Sequence, residues 1–346
     1  MKNSGRKTDL HLLRLAALIA GLLIFYFSIQ YFGGFHAVMT ALLDLSPWTY
    51  FWVVVNSLVW TLSYTQGWKL LMHGHRNRIS FVSLFKVKAC GEAVNLMTPA
   101  GFIVGDPVRV LLLKKYLGDA ARWRSVIVDR VLHSLSAHVF CILSLLLLFT
   151  QNVGFPLWLT LSILFIYLMV SYFFVALVLS LISGRGFGIF EPIFRSFKVA
   201  VRFPKWNEKL IELRSELEYY KDKPKRPFLF AFLLHFFGRI LGVVELIVIF
   251  YFLTGKFLLV FAIILSALTS FVAFIGGWVP GSMGFLEALY AAFAQLYGFN
   301  PAMGITTQII RRLRTLFWIA TGILILDYRE INRFILETKD KQNNKV

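Results

Sequence analysis

Residues 228–253 read FLFAFLLHFFGRILGVVELIVIFYFL, 26 residues in which the only charged side chains are Arg239 and Glu245. A hydrocarbon core of about 30 Å is crossed by roughly 20 apolar residues wound as an α-helix, whose backbone satisfies its own hydrogen bonds in lipid. The run reads as a membrane span, and others like it lie at Leu12–Phe32, Pro47–Lys69, Arg124–Phe149 and Pro156–Ile182. A sixth, Ala302–Leu326, is interrupted by Arg311, Arg312 and Arg314. The predicted fold is all-α: a polytopic integral membrane protein with about six full spans. The runs are continuous and not alternating, which excludes a β-barrel.

Composition agrees, since a chain of 346 residues that is 58% apolar with 35 Phe has more apolar surface than a soluble core can hide. The net charge of +18 would suggest nucleic acid in a soluble domain, but most of it lies between the spans and no nucleic-acid module is visible. Basic loops orient a membrane chain and attract anionic headgroups. Lys and Arg crowd Met1–Arg14, Lys69–Lys88 and Arg185–Arg226, and are absent from Gly33–Ser46 and Thr150–Phe155. The expectation is a multi-pass protein of a prokaryotic cytoplasmic membrane, both termini cytoplasmic, with Leu12–Phe32 retained as a first helix because it is too long for a signal peptide. Residues 1–330 form one membrane domain, 184–226 a cytoplasmic connection between two halves, and 331–346 a tail.

Loop charge places both ends of Phe81–Arg122 on the cytoplasmic side, and both ends of Phe257–Leu296 on the outer side. Each segment is broken, the first at Thr98-Pro99-Ala100-Gly101 and Gly105-Asp106-Pro107, the second at Gly276-Gly277-Trp278-Val279-Pro280-Gly281-Ser282. Both read as re-entrant helical hairpins entering from opposite faces, the pattern of an inverted repeat with a site near the midplane.

Charges at membrane depth cost about 2.5–3.5 kcal/mol each on insertion scales, so those that remain need a partner or a function. The candidates for substrate binding are Glu92, Asn95, Asp106 and Arg109 in the first broken segment, Asp129 and Arg130 at the head of the third span, and Arg239 and Glu245. Glu287 after the second break and Arg311 and Arg314 in the last span complete the set. Arginine grips phosphate oxygens through a planar fork, which suits a lipid headgroup; the competing reading is structural pairing with Glu92, Asp106, Glu245 or Glu287. Cys90 and Cys141 read as packing residues, and neither a metal motif nor a nucleotide loop points to a metal, a cofactor or catalysis.

The motifs Asn95-Leu96-Met97-Thr98-Pro99-Ala100-Gly101, Gly105-Asp106-Pro107-Val108-Arg109, Asp129-Arg130 and Pro280-Gly281-Ser282-Met283-Gly284-Phe285-Leu286-Glu287 resemble the lysylphosphatidylglycerol synthase transmembrane-region family, or flippase-like domain proteins. The likeness runs over about residues 10–330. Asp106 and Asp129 stand where the family usually has Glu, and His133 where an acid is expected. The resemblance implies a domain that moves aminoacyl- or glycolipids between leaflets, here without the soluble aminoacyl transferase domain. The expected function is a flippase-like lipid translocator whose partners are membrane lipids with anionic or phosphate-bearing headgroups; a homo-oligomer stays open. The alternatives are an enzyme or accessory on polyprenyl-phosphate lipids, with Glu92 or Glu287 as base, and a scaffold of buried ion pairs.

Overall fold

The computed structural model describes residues 22–27, 29–31, 34–97, 101–150, 157–183, 219–220, 223–276 and 279–326, and every regular element among them is helical. In chain order these are α1 (Gly34–Leu43), α2 (Pro47–Leu71), α3 (Phe81–Met97), α4 (Gly101–Leu112), α5 (Asp119–Leu146), α6 (Leu157–Ser183), α7 (Arg226–Thr254), α8 (Leu259–Ile275), α9 (Phe285–Leu296) and α10 (Pro301–Ile325). Most of the first span, the Thr98–Ala100 break, most of the 184–226 connection and the tail lie outside the described residues.

The long helices begin where local chemistry starts them. Ser46 and Asn300 accept backbone N–H bonds from Trp48 and Ala302, and Pro47 and Pro301 occupy the first helical position, where a missing N–H costs nothing. Gly255, at φ 69°, ends α7 in the left-handed conformation and returns its N–H to the Tyr251 carbonyl. Asp119–Phe149 and Arg226–Thr254 are long and apolar enough to cross a membrane. The two 25-residue helices α2 and α10, about 37 Å long, have the length but carry more polar side chains. Those of α2 turn inward: Ser57, Thr61, Ser63 and Thr65 are buried, while Phe51, Trp52, Leu58 and Val59 are exposed. α7 is built the same way, with Leu229, Leu233, Phe237, Ile240, Val244 and Tyr251 outward and His235 and Glu245 buried. Polar inside and apolar outside is the polarity that lipid demands.

At the centre α2 and α7 lie against each other. Asn56 donates to the Leu241 carbonyl at 2.8 Å, Ser63 to the Leu234 carbonyl at 3.0 Å, and Gly67 faces Ala231. One number rises as the other falls, so the two helices are antiparallel. Each is followed by a hairpin of the same size: α3 and α4 have 17 and 12 residues, and so do α8 and α9. In the first hairpin Gly91 meets Arg109 and Asn95 meets Gly105; in the second Thr269 meets Tyr290 and Phe261 meets Tyr297. Their arms, about 25 and 18 Å, fall short of a hydrocarbon core, as re-entrant arms do. After each hairpin comes a long helix, α5 or α10. α3 packs on α10, where Cys90 and Ala93 meet Gly322, and α8 packs on α5, where Cys141 meets Ala267. The sequence long helix, hairpin, long helix occurs twice, and its antiparallel first members give the two copies opposite senses.

Four boundaries differ from the sequence reading. Gly33–Ser46, expected as a loop, contains α1, because GFHAVMTALL is apolar enough to fold back against the bundle through Val38. The third span starts at Asp119, five residues before Arg124, since Asp119 and Arg122 pair across the first helical turn. Gly105-Asp106-Pro107 is not a break: Pro107 lies inside α4, and Gly101, expected in the break before it, is the first residue of that helix. Lys88, counted with a basic loop, is buried in α3. Cys90 and Cys141 are buried, as expected of packing residues.

A polar cavity between the two halves

Near mid-height of the long helices lies a cavity of about 300 Å³. α2 contributes Trp60 and Tyr64, α3 Lys88, Glu92 and Asn95, α4 Arg109, α5 Asp129, Arg130 and His133, and α10 Arg314 and Trp318. Six of the polar residues singled out in the sequence, Glu92, Asn95, Arg109, Asp129, Arg130 and Arg314, are neighbours here, although they come from four helices.

The first hairpin supplies one cluster. Asn95 accepts the Gly105 N–H at 2.8 Å and so clamps the hairpin, and a Cβ on Gly105 would fall 2.2 Å from the Gly91 carbonyl oxygen, so only glycine lets the arms approach. This brings buried Arg109 between Glu92 at 3.1 Å and Asp106 at 3.0 Å. Arg130 grips the same Asp106 bidentately, through Nε at 2.8 Å and Nη2 at 2.7 Å. Asp129 turns the other way. Its neighbour in sequence, Arg130, is not its partner; Lys88 Nζ lies 3.0 Å from one oxygen and His235 Nε2 3.1 Å from the other.

A second cluster faces it from α7 and α10. Buried Glu245 receives Arg311 Nε at 2.8 Å on one oxygen and Arg314 Nη1 at 2.7 Å on the other. Arg311 is also bonded to the Tyr290 hydroxyl and stands behind the wall. Arg314 stacks 4.6 Å over Trp60 and lines the cavity; among the described residues its remaining guanidinium donors have no protein partner. Arg239, one layer back, donates to His133 and faces no carboxylate among the described residues. Glu287 is elsewhere: it caps α9 by accepting the Gly284 N–H at 2.7 Å and holds Arg312, so both oxygens are engaged and it is no part of this cavity.

Arg130 lies eleven positions after Asp119 in α5, and Arg312 eleven after Pro301 in α10. Each bonds an acid of the preceding hairpin arm, Asp106 or Glu287. One position earlier stand Asp129 and Arg311, of opposite charge. The two halves repeat one framework but diverge in charge: Asp129 lines the cavity, whereas Arg311 stands behind its wall. In the wall and the layer bonded to it, six cations (Lys88, Arg109, Arg130, Arg239, Arg311, Arg314) face four carboxylates (Glu92, Asp106, Asp129, Glu245). The excess of positive charge suits an anion.

The sequence reading missed Lys88, Tyr64, Trp60, Trp318 and His235. Lys88 was hidden by its place near a basic loop; a lysine two residues before Cys90 and four before Glu92, inside an apolar helix, was the available signal.

The family's sequence profile matches residues 13–323, nearly the whole chain. The protein belongs to the lysylphosphatidylglycerol synthase transmembrane-region family. Similar to it is the UPF0104 membrane protein of Pyrococcus horikoshii, 26% identical over 298 residues, which cover 80% of this chain and 85% of the relative. A UPF0104 membrane protein of Methanothermobacter thermautotrophicus is 26% identical over 294 residues, covering 80% and 83%. No solved structure matches the chain. Family membership fits a multi-pass membrane protein with a lipid-related role, and places Asn95, Asp106, Arg109, Asp129 and Arg130 inside the matched region.

Proposed function

We propose that this family member receives the anionic headgroup of a membrane lipid in the cavity and lets it pass between leaflets while the acyl chains stay in the hydrocarbon. The observation that carries the reading is Arg314: a guanidinium at mid-height of its helix, held by Glu245 and Trp60, with open donors turned to a cavity already rich in cations. A phosphate oxygen pair matches that fork, and Trp60 and Trp318 give the cavity an apolar side. The repeat of opposite sense supports passage over storage, since such repeats offer two related arrangements around one site. The partners are phosphate-bearing or otherwise anionic lipids of the cell membrane.

Fluorescent phosphatidylglycerol in liposomes containing the purified protein tests this, read both as headgroup accessibility from outside and as lipid mass. Native protein should change sidedness and leave mass unaltered. Arg314→Lys keeps the charge without the fork and should slow transfer about tenfold, the worth of one charge-assisted bond. Arg314→Leu should abolish it yet stay folded, because Glu245 keeps Arg311 as its counter-ion. Native transfer rates in both variants would remove Arg314 from the site, and a change of lipid mass would turn the reading toward an enzyme.

A further inference from the structure

Four side chains form one hydrogen-bonded line, two in the cavity wall and two behind it: Arg239 Nη2 to His133 Nε2 at 2.7 Å, His133 Nδ1 to His235 Nδ1 at 3.4 Å, and His235 Nε2 to Asp129 at 3.1 Å. The protons in that line are fixed by valence alone. An ionised Asp129, which also accepts from Lys88, can only accept, so His235 carries its hydrogen on Nε2. Its Nδ1 is then a bare acceptor, and His133 must present Nδ1–H to it. His133 Nε2 is left bare, and it faces a guanidinium that is always protonated. Every bond is satisfied with both imidazoles neutral and every N–H pointing toward Asp129.

No further proton fits. One added to His133 would sit on Nε2 against the Arg239 donor. One added to His235 would sit on Nδ1, forcing the hydrogen of His133 onto Nε2 and producing the same clash. The conflict has one release, which is withdrawal of Arg239. That side chain is held weakly: its bonds go to His133 Nε2 and, at 3.3 Å, to the His133 carbonyl, and its buried Nε has no partner. The cavity is adjacent, since His133 lines it and the α7 backbone at Gly238 touches Tyr64 of its wall.

We infer that His133 and His235 form a proton-binding site that Arg239 occludes, so that an anion drawing Arg239 toward the cavity admits one proton from water onto His133. The cation lost from His133 is replaced by a proton, and the buried line keeps its charge. The groups facing the pair are Tyr64 from α2, stacked on His235 and edge-on to His133, Lys88 from α3, Asp129 and Arg130 from α5, and Arg239 from α7. None except Arg239 donates to His133 Nε2. The occluded site stands on the hydrogen-bond line alone; its coupling to an anion rests on the headgroup reading, and would make protons the second ligand of the same transporter.

Nitrogen-15 NMR of histidine-labelled full-length protein in detergent tests the site without any lipid. The chain has seven histidines, and the pair is assigned from the signals lost in His133→Gln and His235→Gln. From pH 8 to pH 5 both should stay neutral in the native protein, with the hydrogen on Nδ1 of His133 and on Nε2 of His235. In Arg239→Gln, whose amide oxygen can accept from Nε2–H, the pair should take up one proton in that window; Arg239→Met serves if the glutamine variant does not fold. An ordinary titration near pH 6.5 in the native protein, or a pair that stays neutral in the variant, overturns the inference. The coupling is read with dihexanoylphosphatidylglycerol, whose phosphodiester does not titrate there. Because the bound state holds the extra proton, affinity should climb as pH falls, by up to about tenfold per unit, and the slope should vanish in His133→Gln. A native affinity independent of pH refutes the coupling, whereas no binding at any pH sinks the headgroup reading and leaves the NMR result to decide the site.

Discussion

Replacing Glu245 by Ala is expected to lose most of the folded protein. Two buried-side guanidiniums, Arg311 and Arg314, share this one carboxylate, which is itself fully enclosed. Breaking a buried pair by removing one partner costs about 3–5 kcal/mol, because a charge is stranded in a low-dielectric setting, and that is a large share of a typical stability of about 5–15 kcal/mol. Arg314 lines the cavity and can turn into it. Arg311, whose other partner is the neutral Tyr290 hydroxyl, cannot. The readout is the yield of monodisperse protein in detergent together with its thermal midpoint. The double variant Glu245→Leu with Arg311→Met removes acid and stranded base together and should recover most of the loss. A Glu245→Ala protein as stable as the native one would show that this bridge does not hold α7 to α10.

Gly304→Ala should be nearly as damaging, although it adds a single methyl group. A Cβ there would lie 2.2 Å from the Tyr290 carbonyl oxygen and 2.7 Å from the Ala291 nitrogen, both main-chain atoms that cannot turn aside. The backbones of α9 and α10 touch at this point, as helices in lipid do across small residues. Separating them would cost more than the about 1–3 kcal/mol of ordinary overpacking, since Tyr290 also holds Thr269 and Arg311. Gly242→Ala is the control: the space beside it is open, and loss of a helical glycine should leave the stability unchanged or raise it by about 0.5–1 kcal/mol, with the midpoint following. If both variants melt alike, close approach of α9 and α10 is not what fixes the second hairpin.

The helical membrane architecture was legible in the sequence because lipid imposes one rule on every spanning segment, and Phe228–Leu253 obeys it almost without exception. The hairpins were legible from loop charge combined with Pro and Gly, and their nested contacts, Asn95 with Gly105 and Thr269 with Tyr290, follow the expected fold-back. Boundaries were less so. Pro107 looked like a break because proline usually ends a helix, yet α4 continues past it. The charged residues were found by depth, but depth does not choose partners. Asp129 and Arg130 are adjacent in sequence and point to different clusters, as successive residues of a helix do; Glu245 finds its arginines 66 and 69 residues away. Arg239, Glu287 and Arg311 were candidates for the same site, yet Arg239 and Arg311 stand behind the cavity wall and Glu287 caps α9 and holds Arg312 away from it. Only tertiary packing decides such placements. Lys88 was lost for the opposite reason, since a lysine near a basic loop carries no mark of the carboxylate it will meet.

The antiparallel seam between α2 and α7 has a consequence in time. Asn56 and Ser63 bond main-chain carbonyls 185 and 171 residues further along the chain. At about 5–20 residues per second, α2 emerges from the ribosome on the order of ten to forty seconds before its partner exists. During that interval its amide and hydroxyl groups stand in the membrane without the seam that later satisfies them. The first hairpin and α5 are made in the meantime, so the first repeat must wait, half-assembled, for the second to be inserted beside it. Assembly of this protein is thus a matter of holding an unfinished half in place, and the waiting half is where a chaperone or a membrane protease would find it.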